Sequence, residues 1–157
     1  MQRNPVTPAG YEVLCRDLKH HKEVMRPQVV RDIEDARAHG DISENSEFED
    51  AKERQAHIEG RIAELEHRVA SAEIIDVMKL PRNGRVVFGT TVVLEDRHGE
   101  RKTWRLVGET EADASAGLIN FKSPLAKALI GHEAGEEVDV QTPGGVQRWE
   151  IIEVRYE

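Results

Sequence analysis

Residues 46–72 read SEFEDAKERQAHIEGRIAELEHRVASA, and within them Phe48, Ala51, Gln55, Ile58, Ile62, Leu65, Val69 and Ala72 recur at alternating steps of three and four. Sustained over seven turns, that spacing is a heptad seam, which marks a coiled-coil helix rather than an ordinary surface helix. A helix of about 28 residues at 1.5 Å per residue is about 42 Å long. Upstream, Tyr11, Leu14, Leu18, Met25, Val29, Ile33 and Ala36 form a second seam, and Thr7-Pro8 supplies its start: a hydroxyl to accept from orphan amides, and a proline where a missing N–H costs nothing. Pro27 falls inside that helix and predicts a kink or a restart. If the chain folds back near Ser43, the numbers of facing residues add to a constant, and Ala36/Ala51, Val29/Ile58, Met25/Ile62 and Leu18/Val69 all give 87, with Leu14/Ala72 at 86. The two seams therefore predict an antiparallel helical hairpin. Gly40 can end the first helix in a left-handed conformation, and Ser46 with Glu49 fits a capping box that opens the second.

The rest of the chain changes character. After about Lys79, Gly and Pro punctuate β-branched runs: Arg85–Phe88, Thr91–Glu95, Lys102–Val107, Gly117–Phe121, Glu137–Gln141 and Gln147–Val154 read as strands. Asp96-Arg97-His98-Gly99 and Thr142-Pro143-Gly144-Gly145 read as turns, and Ser123-Pro124 before Leu125–Ile130 and Gly131 reads as a short capped helix. The expectation is an α+β protein: a hairpin over residues 1–79, then an antiparallel sheet domain with a short helix over 80–157.

Composition narrows the function classes. With seven aromatic residues in 157, a large aromatic-lined pocket cannot be built, so function belongs on an exposed surface or a projecting element. The net charge of −8 argues against bulk attraction to nucleic acid, and the acidic excess is present in both halves. The one cysteine, Cys15, rules out an internal disulfide and a cysteine-based zinc site and suits a reducing, cytoplasmic setting. Residues 1–6 hold no apolar run of the signal-peptide kind, and no stretch resembles a membrane span, so no membrane anchoring is expected.

Chemistry concentrates between the helices. Asp41, Glu44, Glu47, Glu49, Asp50 and Glu53 place six carboxylates beside one cation, Lys52. Two readings stand. In one, the acids cap the second helix and favour its positive N-terminal end. In the other, Asp41 and Glu44 present oxygens to Mg²⁺, which takes six hard ligands and usually keeps most of them as water or phosphate. Two carboxylates at a hairpin end are a poor site alone and a useful half-site inside a macromolecule that supplies the rest.

Three separated stretches carry a resemblance: Ala36-Arg37-Ala38-His39-Gly40-Asp41-Ile42-Ser43-Glu44-Asn45-Ser46-Glu47-Phe48, then Asn83-Gly84-Arg85-Val86-Val87-Phe88-Gly89, then Ser123-Pro124-Leu125-Ala126-Lys127-Ala128-Leu129-Ile130-Gly131. In order and over the whole chain, they resemble the bacterial GreA/GreB transcript cleavage factors, nearer the GreA branch. The resemblance implies that the hairpin enters the secondary channel of bacterial RNA polymerase in a backtracked complex. There Asp41 and Glu44 would help hold a catalytic Mg²⁺, and the polymerase would cut the 3′ end of its own nascent RNA. On this reading the chain activates an enzyme without being one. The resemblance further implies an FKBP-like second domain, docking on the channel rim through Ser123, Pro124 and Leu125, and RNA contact by Arg37 and Lys52, although a solvated helix surface with Lys52 paired to Glu44, Glu49 or Glu53 accounts equally for those two cations. Ser46 and Phe48 stand where the family often has Ala and Tyr, changes that keep the local cap and seam.

Other signals carry less. Seven histidines occur without an i, i+4 pair accompanied by a suitable acid, and Pro143-Gly144-Gly145 lacks a phosphate loop's Gly-Lys-Ser/Thr ending. Phe88, Trp104, Phe121, Trp149 and Tyr156 are too few to fill a core and also line a prolyl isomerase pocket, so that activity is not expected. Two mutually satisfied seams leave little reason to dimerise, and a monomer is expected.

Overall fold

The computed structural model describes residues 2–39 and 46–157. Two compact units emerge, residues 11–72 and residues 3–10 together with 73–157.

In the first unit, the leading strand of the hairpin is helical from α1 (Pro8–His20, its first turn in the other unit) through a π-turn (His21–Met25) into α2 (Arg26–Ala38), and the returning strand is α3 (Ser46–Ser71). Val29, Ile33 and Ala36 on α2 and Ala51, Ile58, Ile62 and Leu65 on α3 are buried, which is the predicted seam. Ion pairs across it follow the predicted antiparallel count to within two residues: Asp32–Arg54 at 3.0 Å, Arg26–Glu59 at 2.7 Å and Lys22–Glu66 at 2.9 Å. Above the π-turn the count fails. Leu18, predicted opposite Val69, packs against the Val29–Ile58–Ile62 cluster, and Asp17 meets Arg61 at 3.1 Å. Just below lies Pro27, which has no N–H and whose ring crowds the carbonyl four residues back. A wider π-turn just before it relieves that crowding, so neither a sharp break nor a fresh helix start is needed.

In the second unit, β1 (Asn4–Val6) pairs with β2 (Ala72–Ile74), and the Ile75 N–H donates to the Val6 carbonyl at 2.9 Å. A 3₁₀ turn over Val77–Lys79 buries Val77. Residues 3–10 and 73–79, read from the sequence with the hairpin, thus group with the sheet unit, because β pairing and the Val77 anchor hold them there. The main sheet has the order β5-β4-β3-β7-β6, built from β3 (Thr91–Glu95), β4 (Arg101–Val107), β5 (Leu118–Asn120), β6 (Glu137–Thr142) and β7 (Gly145–Arg155). A register shift between Val93 and Leu94 opposite β7 adds local bend. The helix α4 (Pro124–Leu129) supplies Ala126 and Leu129 to a core with Val86, Val92, Leu94, Leu106, Val138 and Ile151.

Two strand expectations need correction. The sheet is antiparallel except at β5, which runs parallel to β4, because two 3₁₀ turns (Glu109–Glu111 and Ala114–Ala116) carry the chain back before it pairs. Arg85–Phe88 forms no strand: Arg85 makes an isolated bridge to Glu133, and Val86 exchanges backbone bonds with His132 and Gly131 at 2.8 and 2.9 Å. Gly89 at φ +88° turns the chain away, and the Thr90 hydroxyl bonds the Val87 carbonyl at 2.7 Å.

Candidate functional site

Towards the distal end of the hairpin the buried seam residues are its smallest: Ala36 and Ala51 are 3% and 1% exposed. Just beyond, the His39 N–H donates to the Ala36 carbonyl at 3.3 Å as α2 ends. Asp41 and Glu44, the carboxylates expected to face a metal, lie outside the described residues, as does Gly40. Among the described residues no cluster of His, Cys, Asp or Glu is arranged to hold a metal ion.

The two sides of this end differ in charge. On one, the Arg37 guanidinium stands 6.0 Å from the Phe48 ring centroid, and Lys52, one turn after Phe48, shares its side of α3. The Lys52 ammonium donates to Gln55 Oε1 at 3.2 Å, a neutral partner; Glu44, one of the acids expected beside it, lies outside the described residues. The other side is a groove of about 450 Å³ lined by Asp32, Asp35, Ala36, His39, Glu47, Asp50 and Arg54. Of its acids, Glu47 and Asp50 are among the six carboxylates counted in the sequence, whereas Asp32 and Asp35, legible as an i, i+3 pair on α2, were passed over. Hydrogen bonds from Arg54 and Gln28 hold the Asp32 carboxyl below the usual carboxylate range.

In the sheet unit, the Ser123 hydroxyl accepts from the Ala126 N–H at 3.3 Å, and Pro124 opens α4. Leu125 is half-buried against the core. Ser123 and Leu125 are therefore used by the fold while Pro124 is exposed, and beside them Phe88 and Phe121, both half-buried, meet edge to face at 5.5 Å, with the Lys122 ammonium 5.7 Å from the Phe121 centroid. The sequence reading missed this pair, although Phe121-Lys122 directly precedes the Ser123 cap. Trp104 and Trp149 pack against the core, and Tyr156 is buried with its hydroxyl on Asn83 and the Arg85 carbonyl.

A helical hairpin with an acidic groove at its distal end, and a small sheet unit with a half-buried aromatic pair beside α4, are the features that the described residues present. Residues 4–74 match the family model described as the N-terminal part of a transcription elongation factor, and residues 81–156 match the GreA/GreB C-terminal model. The chain is 52% identical over 157 residues to transcription elongation factor GreA of Neisseria meningitidis serogroup A, covering 99% of each. It is 52% identical to GreA of Anaeromyxobacter sp. strain K, covering 99% of this chain and 94% of that one, and 48% identical to GreA of Haemophilus influenzae over 99% of both. Among solved structures, GreA factor homolog 1 of Thermus thermophilus aligns at 30% identity and TM-score 0.45 over 98% of this chain and 99% of that one. The GreA/GreB factor of Nitrosomonas europaea aligns at 24% identity and TM-score 0.43 over 98% and 100%. The chain belongs to the GreA/GreB family of transcription elongation factors.

Proposed function

We propose that the chain binds bacterial RNA polymerase, inserts the hairpin into the secondary channel, and stimulates the polymerase's own endonuclease on backtracked, arrested complexes. The end-to-end match of both halves to GreA factors carries this reading. Asp41 and Glu44 are hard oxygen donors of the kind Mg²⁺ accepts, and two of them leave most of its six positions for a host and its substrate. A metal held there would supply a bound water of lowered pKa and positive charge beside the scissile phosphate. The chain's own residues have three tasks. Asp41 and Glu44 bring negative charge to the metal. Arg37 and Lys52 contact the phosphates of the extruded RNA 3′ end. The α4 corner around Ser123, Pro124 and Leu125 seats the sheet unit on the channel rim, with Phe88 and Phe121 offering contact area. The factor then contributes half a metal site and is no nuclease by itself; it works as a monomer in the cytoplasm, where the polymerase is. Among the described residues no helix is long and apolar enough to cross a membrane.

End-labelled RNA in a stalled, backtracked complex tests the reading with factor alone, polymerase alone and both together. Cleavage accelerated only by the combination is the expected result. Cutting by the factor alone would make it a self-contained nuclease, and no acceleration by the pair would remove the proposal.

A further inference from the structure

The π-turn interrupts the regular winding of the leading helix, and no side chain within His21–Met25 is fully buried, although Met25 packs against the Val29–Ile58–Ile62 cluster. Polar contacts hold it as well, beginning with Lys22 on Glu66 of α3 at 2.9 Å. The His21 imidazole Nδ1 lies 2.8 Å from the Asp17 carbonyl oxygen and 3.1 Å from its Oδ1; both neighbours are acceptors, so Nδ1 carries the proton. The other carboxylate oxygen of Asp17 accepts from Arg61 on α3 at 3.1 Å. Asp17 thus ties the turn below it to the opposite helix. Arg61 also has Glu64 on its own helix at 3.2 Å, so without the Asp17 charge its guanidinium turns to Glu64 and the polar tie between α1 and α3 is lost, leaving the apolar contact of Leu18. On the distal side, Arg26 stays clamped to Glu59 by two bonds of 2.7 and 2.8 Å.

We propose that Asp17 is a positioning residue: it fixes the setting of a built-in joint at the π-turn, and so the direction in which the distal hairpin is carried by α1. The joint itself is read from the hairpin alone; its effect on cleavage rests on the function proposed above. Spin labels at Val13→Cys and Val30→Cys, two exposed positions flanking the joint, in a Cys15→Ser background report its spread in the full chain without polymerase. One narrow distance distribution is expected for the parent, a broadened one for Asp17→Asn and Arg61→Gln, and a return towards the parent for Asp17→Glu. In backtracked complexes, Asp17→Asn should lower the maximal stimulated cleavage rate about tenfold while leaving the half-saturating factor concentration unchanged, as expected of a small misplacement of a reacting group. Distance distributions unchanged by both charge removals overturn the joint. A broadened distribution with full cleavage stimulation overturns the positioning role. A parent that fails to stimulate cleavage, while Asp17→Asn still broadens the distances, sinks the proposed function and leaves the joint standing.

Discussion

At the scale of single residues, two helical glycines make opposite predictions. Gly60 lies within α3, and a Cβ there would meet nothing within 4 Å. Gly60→Ala should therefore raise stability by about 0.5–1 kcal/mol, the ordinary helix preference of alanine. Gly10 begins α1 where a Cβ would land on the Glu111 carboxyl group. That carboxylate cannot swing aside freely, since it accepts from the Thr7 N–H at 3.1 Å, the Thr7 hydroxyl and the Gly108 N–H at 2.9 Å. Overpacking there outweighs the helix preference, and Gly10→Ala should cost about 1–3 kcal/mol. Thermal unfolding of the two variants beside the parent reads both signs at once. Ser123→Ala, which removes the α4 cap, should cost about 1 kcal/mol by the same measurement. Caps of this kind were plain in the sequence because a hydroxyl before a proline has a local purpose. The Glu111 clasp was not, because it joins residues 104 apart in sequence, a separation at which no local pattern registers.

Among the elements, the hairpin shows which part of a fold periodicity can specify. From Met25 to Ala36 the seam and its ion pairs were legible, since heptad spacing and antiparallel counting depend only on regular α-helix. Beyond the π-turn the same arithmetic misplaced Leu18, because antiparallel counting assumes unbroken α-helical winding. Pro27 signalled a disturbance without saying which kind. The parallel pairing of β5 was hidden for a related reason: strand patterns state which face is buried and leave direction to the connection. The hairpin's charge pairs make a further prediction. Arginine hydrogen bonds hold Asp32, Glu59 and Glu64 below their ordinary carboxyl range, from Arg54, Arg26 and Arg61 in turn. A depressed folded-state pKa gives stability that is present above the unfolded value and lost as pH falls through the folded one. The melting midpoint followed by far-UV circular dichroism should thus be level above about pH 5.5 and fall below about pH 4. Because these carboxylates are exposed the drop should be modest and should shrink in high salt.

For the whole molecule, the sequence separates what a protein must be from where it must act. Few aromatics and a net charge of −8 directed attention to surfaces, and the distal hairpin, with Arg37 and Lys52 on one side and an acidic groove on the other, is a surface of that kind. The acidic groove of the distal hairpin lies on the other side from Arg37 and Lys52, so a polyanion is drawn to one side only; reversing Arg37 and Lys52 to Glu should raise the half-saturating factor concentration for cleavage and flatten its salt dependence. The central claim is narrower: Asp41 and Glu44 supply chemistry, and the rest of the chain delivers them. Its most direct measurement is the single-turnover rate of RNA 3′-end cleavage in a backtracked complex, at saturating Asp41→Asn/Glu44→Gln double variant whose binding to polymerase has been verified. The account predicts parent-like binding with the cleavage rate back at that of polymerase alone. Full stimulation by that variant would contradict it.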